Sequence, residues 1–387
     1  MAIYTGQFFS LLSSAAVQFS IIWWLTDTTG GSPLVLTMAG LAGFLPQALV
    51  GPIAGTITDR YSRKLMMILA DMTVAFGSLL LFITMYFNEP SIALVIVILV
   101  IRSLATAFHM PAMQASIPLL APEEHLTKVA GWGQTISSFS NIAGPAVGMS
   151  LLAVSSLEWV LLLDVFGAVI ASSILIFIHI PRVSRTEDVE SASMITEMKE
   201  GYHAIVKHPV VLKLTITMTI VAMLYIPLGT YFPLMTRNHF EKGVVEAGIV
   251  EVIFATGLIV GGALLGVLGD RFDKIKTMTA GILLMGVALF ISGIVSPSLF
   301  IVFLVMAGLV GLSGPLFSVP FYAFIQTEIQ PHLLGRVFSF VTSLSLLATP
   351  IGYAVAGVLI ELTSVATLFS ITGILIIINA VITSKAK

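Results

Sequence analysis

Long apolar runs separated by short polar breaks set the rhythm of this chain. Twelve such runs stand at 4–25, 33–57, 65–87, 91–119, 126–152, 158–180, 210–236, 244–268, 275–295, 298–326, 333–358 and 364–383. Each holds about 20 residues or more, enough to cross a ~30 Å hydrocarbon layer at 1.5 Å per residue. Strands of a membrane barrel would instead read as ~10-residue alternating segments, and the sequence has none. The pattern predicts an all-α polytopic membrane protein with twelve transmembrane helices. Tyr4 to Leu25 has neither a basic flank nor a small-residue cleavage site after it, so it reads as the first membrane helix rather than a signal peptide.

Composition agrees with this pattern. Only 10% of the 387 residues are charged and 57% are hydrophobic, whereas a soluble domain carries roughly 25% charged residues. The absence of cysteine excludes disulfides and thiolate metal sites. The net charge of −2 says less than the sorting of charges. With both termini inside, Arg60, Arg63, Lys64, Lys128, Arg182, Arg185, Lys199, Lys207, Lys213, Arg271, Lys274, Lys276, Arg336, Lys385 and Lys387 fall on the inner side, and only Arg237 and Lys242 outside. Such sorting predicts an inner or plasma membrane protein with cytoplasmic termini.

One long polar stretch, 181–208, parts the chain into a front bundle (1–180) and a back bundle (209–387). Ile195, Met198, Tyr202 and Ile205 recur within it at helical spacing, which fits either a short amphipathic helix at the inner interface or a solvated linker. The two bundles echo each other. GTITDRYSRK (55–64) matches GVLGDRFDKIK (266–276) at an offset of 211, HLTKV (125–129) matches LLGRV (333–337) at 208, and Pro111 matches Pro320 at 209. Ordered matches at nearly one offset imply two parallel copies of a six-helix unit.

The repeated charged segment follows the second helix of each copy. Asp59 and Asp270 are expected to accept from backbone N–H groups at the start of the next helix. Arg60, Arg63 and Arg271 are expected to pair with acidic ends of neighbouring helices, and Gly55 and Lys64 complete the expected gating loop. A basic topology signal needs no acid, so these two aspartates argue for a gating or structural role.

The motif G-x-x-x-D-R-x-x-R-K at Gly55–Lys64, between the second and third helices, resembles the loop signature of the major facilitator superfamily. GPAVG, at Gly144, Pro145 and on to Gly148, resembles the Gly-Pro signature of its drug–proton antiporters. Arg102 resembles their buried arginine motif, although Ala105 and Thr106 replace the usual Gln and Gly. The runs WWLTDTTGGSPLVL, GFLPQALVGPIAGTITDRYSRKLMMILAD and IRSLATAFHMPA resemble the macrolide-efflux branch. The resemblance implies two six-helix bundles rocking about a central cavity, which is lined by helices one, two, four, five, seven, eight, ten and eleven. It also implies that the bend at Gly144–Pro145 seals the resting cavity of an exporter.

Duplication separates scaffold from task. Arg102, Asp71, Glu251 and Asp164 lie inside spans and correspond to Gly311, Ile282, Gly40 and Ile371 in the other copy, none of them ionisable. A charge at a helix centre costs roughly 2.5–3.5 kcal/mol on insertion scales, so these four are the candidates for proton coupling. Arg102 requires a carboxylate, a carbonyl or a watery cavity, and Thr106 and His109 are expected to extend its polar face inward. Asp71 is expected to pair with Arg60 or Arg63. Asp164 is expected near the outer end of its helix, bonded to neighbouring helices or coupling. His109 is a proton carrier or a hydrogen-bonded packing residue. Polar stripes at Gln7, Ser14 and Gln18, and at Gln134, Ser138 and Asn141, suggest cavity lining, with Tyr225, Tyr231 and Tyr322 as aromatic walls; interhelical hydrogen bonding explains each equally well. The pairs Gly51/Gly55, Gly144/Gly148, Gly257/Gly261 and Gly262/Gly266 suggest close helix packing.

No P-loop, H-E-x-x-H or G-x-S-x-G occurs, so an enzyme is disfavoured. The expected function is proton-coupled export of small lipophilic or amphipathic compounds. Export of an endogenous metabolite or siderophore on the same fold stands as the alternative. Protons and the lipid bilayer are the expected partners, with no cofactor, no metal and no nucleic acid, and a monomer as the working state.

Overall fold

A computed structural model describes residues 2–88, 90–120, 126–180, 194–268, 273–330 and 333–385. Within these ranges, residues 2, 52, 55, 56, 59, 60, 118, 126–128, 130, 131, 134, 135, 138, 194–199 and 268 are described by their backbone alone. The described residues are helical throughout, without a strand. They fall into two compact units, Met1–Asp188 and Val189–Lys387.

The front unit holds α1 (Ala2–Thr28), α2 (Pro33–Arg60), α3 (Arg63–Phe87), α4 (Ile92–Leu120), α5 (Leu126–Leu152) and α6 (Leu157–Phe177). The back unit holds α7 (Met194–Val206), α8 (Pro209–Tyr225), α9 (Leu228–Leu234), α10 (Val244–Leu268), α11 (Lys274–Ile294), α12 (Phe300–Glu328), α13 (Leu334–Leu362) and α14 (Val365–Ser384). Eleven described stretches are long and apolar enough to cross a membrane, α8 and α9 together making one of them. The twelfth span is α5, of which the described stretch Phe139–Leu152 is apolar. Outward-facing apolar side chains such as Phe76, Phe177 and Ile301 remain exposed, as lipid-facing positions should.

Packing repeats as the sequence does. In the front unit α1 packs on α5 and α6, α2 on α4, and α3 on α4 and α6; in the back unit α8 packs on α13 and α14, α10 on α12, and α11 on α12 and α14. These are the same pairings in repeat order. Small residues set the closest approaches. A Cβ on Gly148 would lie 2.6 Å from the Ala16 carbonyl oxygen, and one on Gly144 would overlap Ala15, so α5 meets α1 backbone to backbone. Gly257 and Gly261 likewise abut Gly308 and Leu312. Gly51, Gly262 and Gly266 face open space, so their expected packing role is corrected; Gly55 is described by backbone alone.

Helix ends follow local chemistry. Between α1 and α2, Gly30 and Gly31 take φ of 65° and 77°, the left-handed region that lets a chain reverse after a helix, and Pro33 opens α2. The caps at the starts of α3 and α11 are Ser62, accepting from the Leu65 N–H at 3.4 Å, and Asp273, accepting from the Lys276 N–H at 3.0 Å. These two caps are repeat-equivalent. The side chains of Asp59 and Arg60 lie outside the described ones, as do Asp270 and Arg271 altogether.

The seventh span, expected as one helix over 210–236, is interrupted. Pro227 has no N–H to donate, and the chain tightens there, with Gly229 N–H to Ile226 O at 3.2 Å and Thr230 N–H to Pro227 O at 3.1 Å. A π-helical turn, Met235–His239, then closes the span. The polar stretch does contain a helix, α7, and it packs on α13. Ile205 is fully buried and Glu200 pairs with Arg336 at 2.5 Å; the side chains of Ile195 and Met198 lie outside the described ones.

Candidate functional site

The front unit encloses polar side chains that its apolar helices would not otherwise bury. They form two rungs. In the first, Arg102 on α4 pairs with Asp164 on α6, and its Nη1 also donates to Ser78 Oγ on α3 at 3.0 Å. Ser78 Oγ donates to Asp164 Oδ2 at 2.7 Å, and Ser14 Oγ on α1 donates to Asp164 Oδ1 at 3.0 Å. Arg102 Nη2 reaches the Ser14 carbonyl oxygen at 3.4 Å. Both oxygens of Asp164 are therefore occupied, as a buried ion pair requires.

The second rung lies two helical turns along. Ser10 Oγ on α1 donates to Asp71 Oδ1 on α3 at 3.0 Å, and His109 Nε2 on α4 stands 3.6 Å from the same oxygen. Asp71 is 5% and His109 8% exposed. Asp71 Oδ2 and His109 Nε2 lack hydrogen-bond partners among the described residues. The rungs share one antiparallel register: α3 offers Asp71 and Ser78, α4 offers His109 and Arg102, each pair seven residues apart on one helix face.

Several expectations change. Arg102 obtains its carboxylate from Asp164, a partnership that sequence did not indicate. Asp164 is 1% exposed and bonds to neighbouring helices through Ser14 and Ser78, one of the roles expected of it. Asp71 was expected to pair with Arg60 or Arg63 and is instead engaged by Ser10 and His109 in the bundle interior. Arg63 Nη1 donates to the Ala115 carbonyl oxygen at 2.7 Å, and Lys64 Nζ to those of Ile176 and Ile178 at 2.6 and 3.0 Å. Those two loop cations thus donate to carbonyls toward the C-terminal ends of α4 and α6. Thr106 is exposed and donates back to the Arg102 carbonyl, so it does not extend the buried stripe.

The residues expected to line a cavity scatter. Ser14 belongs to the first rung, and Gln7 is fully buried beside the rungs. Gln18 is half-buried and Asn141 exposed, while the side chains of Gln134 and Ser138 lie outside the described ones. Tyr231 is a core residue, fully buried against Tyr353, so its role as a cavity wall is corrected. Tyr322 is exposed and packs edge-on to Phe321 and Phe338. In the back unit, Tyr225 ends α8 beside the Pro227 interruption and lies within electrostatic range of Glu251 on α10; both are half-buried. Pro145 sits inside α5, which continues through it. No group of three or more His, Asp or Glu among the described residues is placed to hold a metal ion.

Sequence reasoning missed Ser10 and Ser78 because hydroxyls are common in membrane helices. The usable signal was the seven-residue spacing of ionisable and polar positions on two adjacent antiparallel helices.

The profile of the Major Facilitator Superfamily matches residues 3–250 and 238–385. The chain belongs to the major facilitator superfamily. Within it, the chain is 40% identical over 380 residues to Macrolide efflux protein A of Streptococcus pyogenes, covering 98% of this chain and 94% of that protein. It is also 40% identical over 322 residues to Macrolide efflux protein A of Enterococcus faecalis, covering 83% and 99%. The Multidrug efflux pump Tap of Mycobacterium tuberculosis is 26% identical over 367 residues, covering 92% and 86%. Solved structures share the superfamily fold. A bacterial homologue of the human lysosomal transporter Spinster, inward-facing and unoccupied, matches with a TM-score of 0.75 at 15% identity, covering 99% of this chain and 96% of that one. A bacterial homologue of the iron transporter ferroportin, inward-facing, matches with a TM-score of 0.74 at 16% identity, covering 99% and 98%.

Proposed function

We propose that this chain exports lipophilic or amphipathic compounds, macrolides among them, from a bacterial cell by proton-coupled alternating access. It works as a monomer in the inner or plasma membrane with both termini in the cytoplasm. The observation that carries the reading is 40% identity across 98% of the chain to a protein named for macrolide efflux. The basic residues gathered on one side of the predicted spans support the orientation.

Proton coupling draws support from the buried rungs. A scaffold needs no ionisable group at these depths, and the repeat-equivalent positions show that it manages without. Ile282 stands for Asp71, fully buried in apolar packing, and Gly311 stands for Arg102, where α12 meets α10 at Phe254. Charged groups kept in one copy only are costly to insert and are retained for work. Glu251, beside Tyr225, offers the back unit a second acid.

The test is transport of a radiolabelled macrolide into inverted membrane vesicles. An inside-acid gradient is expected to drive accumulation, and a protonophore to abolish it. Accumulation indifferent to the gradient overturns proton coupling. Absence of macrolide transport, with transport of other compounds in a panel, overturns the substrate reading.

A further inference from the structure

Two buried carboxylates share one bundle, yet only Asp164 is complete. Its oxygens take Ser14, Ser78 and the Arg102 guanidinium. Asp71 accepts one hydroxyl, from Ser10, and leaves Oδ2 without a partner in an interior that is expensive for an uncompensated charge. His109 faces it at 3.6 Å, just beyond a hydrogen bond, with Nε2 also unpartnered. The orphan atoms continue toward the N-terminal end of α1. Gln7, one turn from Ser10, is 0% exposed with both amide atoms unpartnered, and the hydroxyl of Tyr4, packed in a cluster with Met67 and Met113, is unpartnered as well. Buried polar atoms are nearly always satisfied, so four neighbouring side chains that are not demand a reason.

We propose that Asp71 and His109 act as one proton-carrying site, with the Arg102–Asp164 pair holding the adjacent charge constant. This rests on the proton-coupled reading above and assigns its proton to particular atoms. Uptake of one proton between the Asp71 carboxylate and His109 Nε2 converts carboxylate and neutral imidazole, net −1, into a pair of net charge zero. Release returns that proton to water and restores net −1. The loaded pair is the one that tolerates a dry interior, and the empty pair requires access to water. Gln7 and Tyr4 supply donors and acceptors along the route from the end of α1.

The other groups facing the pair are accounted for. On α4 and α6, Arg102 and Asp164 neutralise each other. On α3, Arg63 is two turns away and donates to the Ala115 carbonyl. On α1 the facing groups are Ser10, Gln7 and Tyr4, and neither α2 nor α5 adds a titratable side chain among those described.

The experiment uses the full chain in proteoliposomes and compares wild type with His109→Gln and Asp71→Asn. Two readouts are taken: accumulation of labelled macrolide driven by one pH unit, and exchange of labelled for unlabelled macrolide without a gradient. One pH unit sustains about tenfold accumulation per proton exchanged. Both variants are expected to fall to about onefold while exchange persists, because exchange needs no net proton movement. Should Asp71→Asn fail to insert, His109→Gln, which keeps the size and polarity of the ring, decides alone. A variant His109→Gln that still accumulates as wild type overturns the assignment. A wild type that ignores the gradient overturns the proton-coupled reading itself.

Discussion

Asp164 and Asp71 show how much a carboxylate's task depends on what surrounds it. Asp164 is locked by an arginine and two serines, so its charge is a fixed part of the bundle. Removing one partner of such a pair leaves the other buried and uncompensated, at about 3–5 kcal/mol. Arg102→Met and Asp164→Leu are each expected to lower the thermal unfolding temperature of the detergent-solubilised protein, and the double variant to recover most of the loss. A double variant as unstable as either single one would break the paired account. Glu251 sits on the other side of the question, half-buried with no fixed cation beside it among the described residues. Glu251→Gln is expected to abolish uphill efflux in vesicles and spare downhill flow; unchanged uphill efflux removes it from coupling. Sequence alone showed that Arg102 needed a partner. It did not show which, because Asp164 lies 62 positions away and meets it only through the packing of α3, α4 and α6.

At the scale of single helices, hydropathy located every span, since lipid demands long apolar runs whatever the tertiary detail. Their ends were harder to read. The sequence drew attention to Asp59 and Asp270, and the cap positions fall on Ser62 and Asp273, each three residues nearer the following helix. A cap must sit immediately before the first turn, so position outranks chemistry. Ser62→Ala and Asp273→Ala are each expected to cost about 1 kcal/mol, read from unfolding midpoints. Lys64 joins two elements, the start of α3 and the end of α6, through the Ile176 and Ile178 carbonyls. Lys64→Met is expected to cost about 1.5–3 kcal/mol, the worth of hydrogen bonds to a charged group, and to raise protease sensitivity after residue 178. The α1–α5 seam tolerates no side chain at Gly148, so Gly148→Val is expected to impair assembly of the front bundle, seen as loss of monodisperse protein on size-exclusion chromatography.

Across the whole molecule, the internal repeat was the most informative feature of the sequence, and the structure carries it further. Each unit pairs its helices in the same order, so the scaffold was written twice and the ionisable rungs only once. Topology is directly measurable because the natural chain contains no cysteine. Single cysteines at Lys242 and Lys207 are expected to react with a membrane-impermeant maleimide from outside and inside respectively; the reverse pattern would invert the proposed orientation. The copies also differ in their opening span. Helix α1 runs unbroken for 27 residues, whereas its counterpart is interrupted at Pro227, two residues after Tyr225, which lies within electrostatic range of Glu251. One twin has become a stiff mast and the other an articulated limb. Cargo lodged beside that joint should announce itself first as slowed deuterium uptake at Ile226 to Gly229, before any signal reaches the mast.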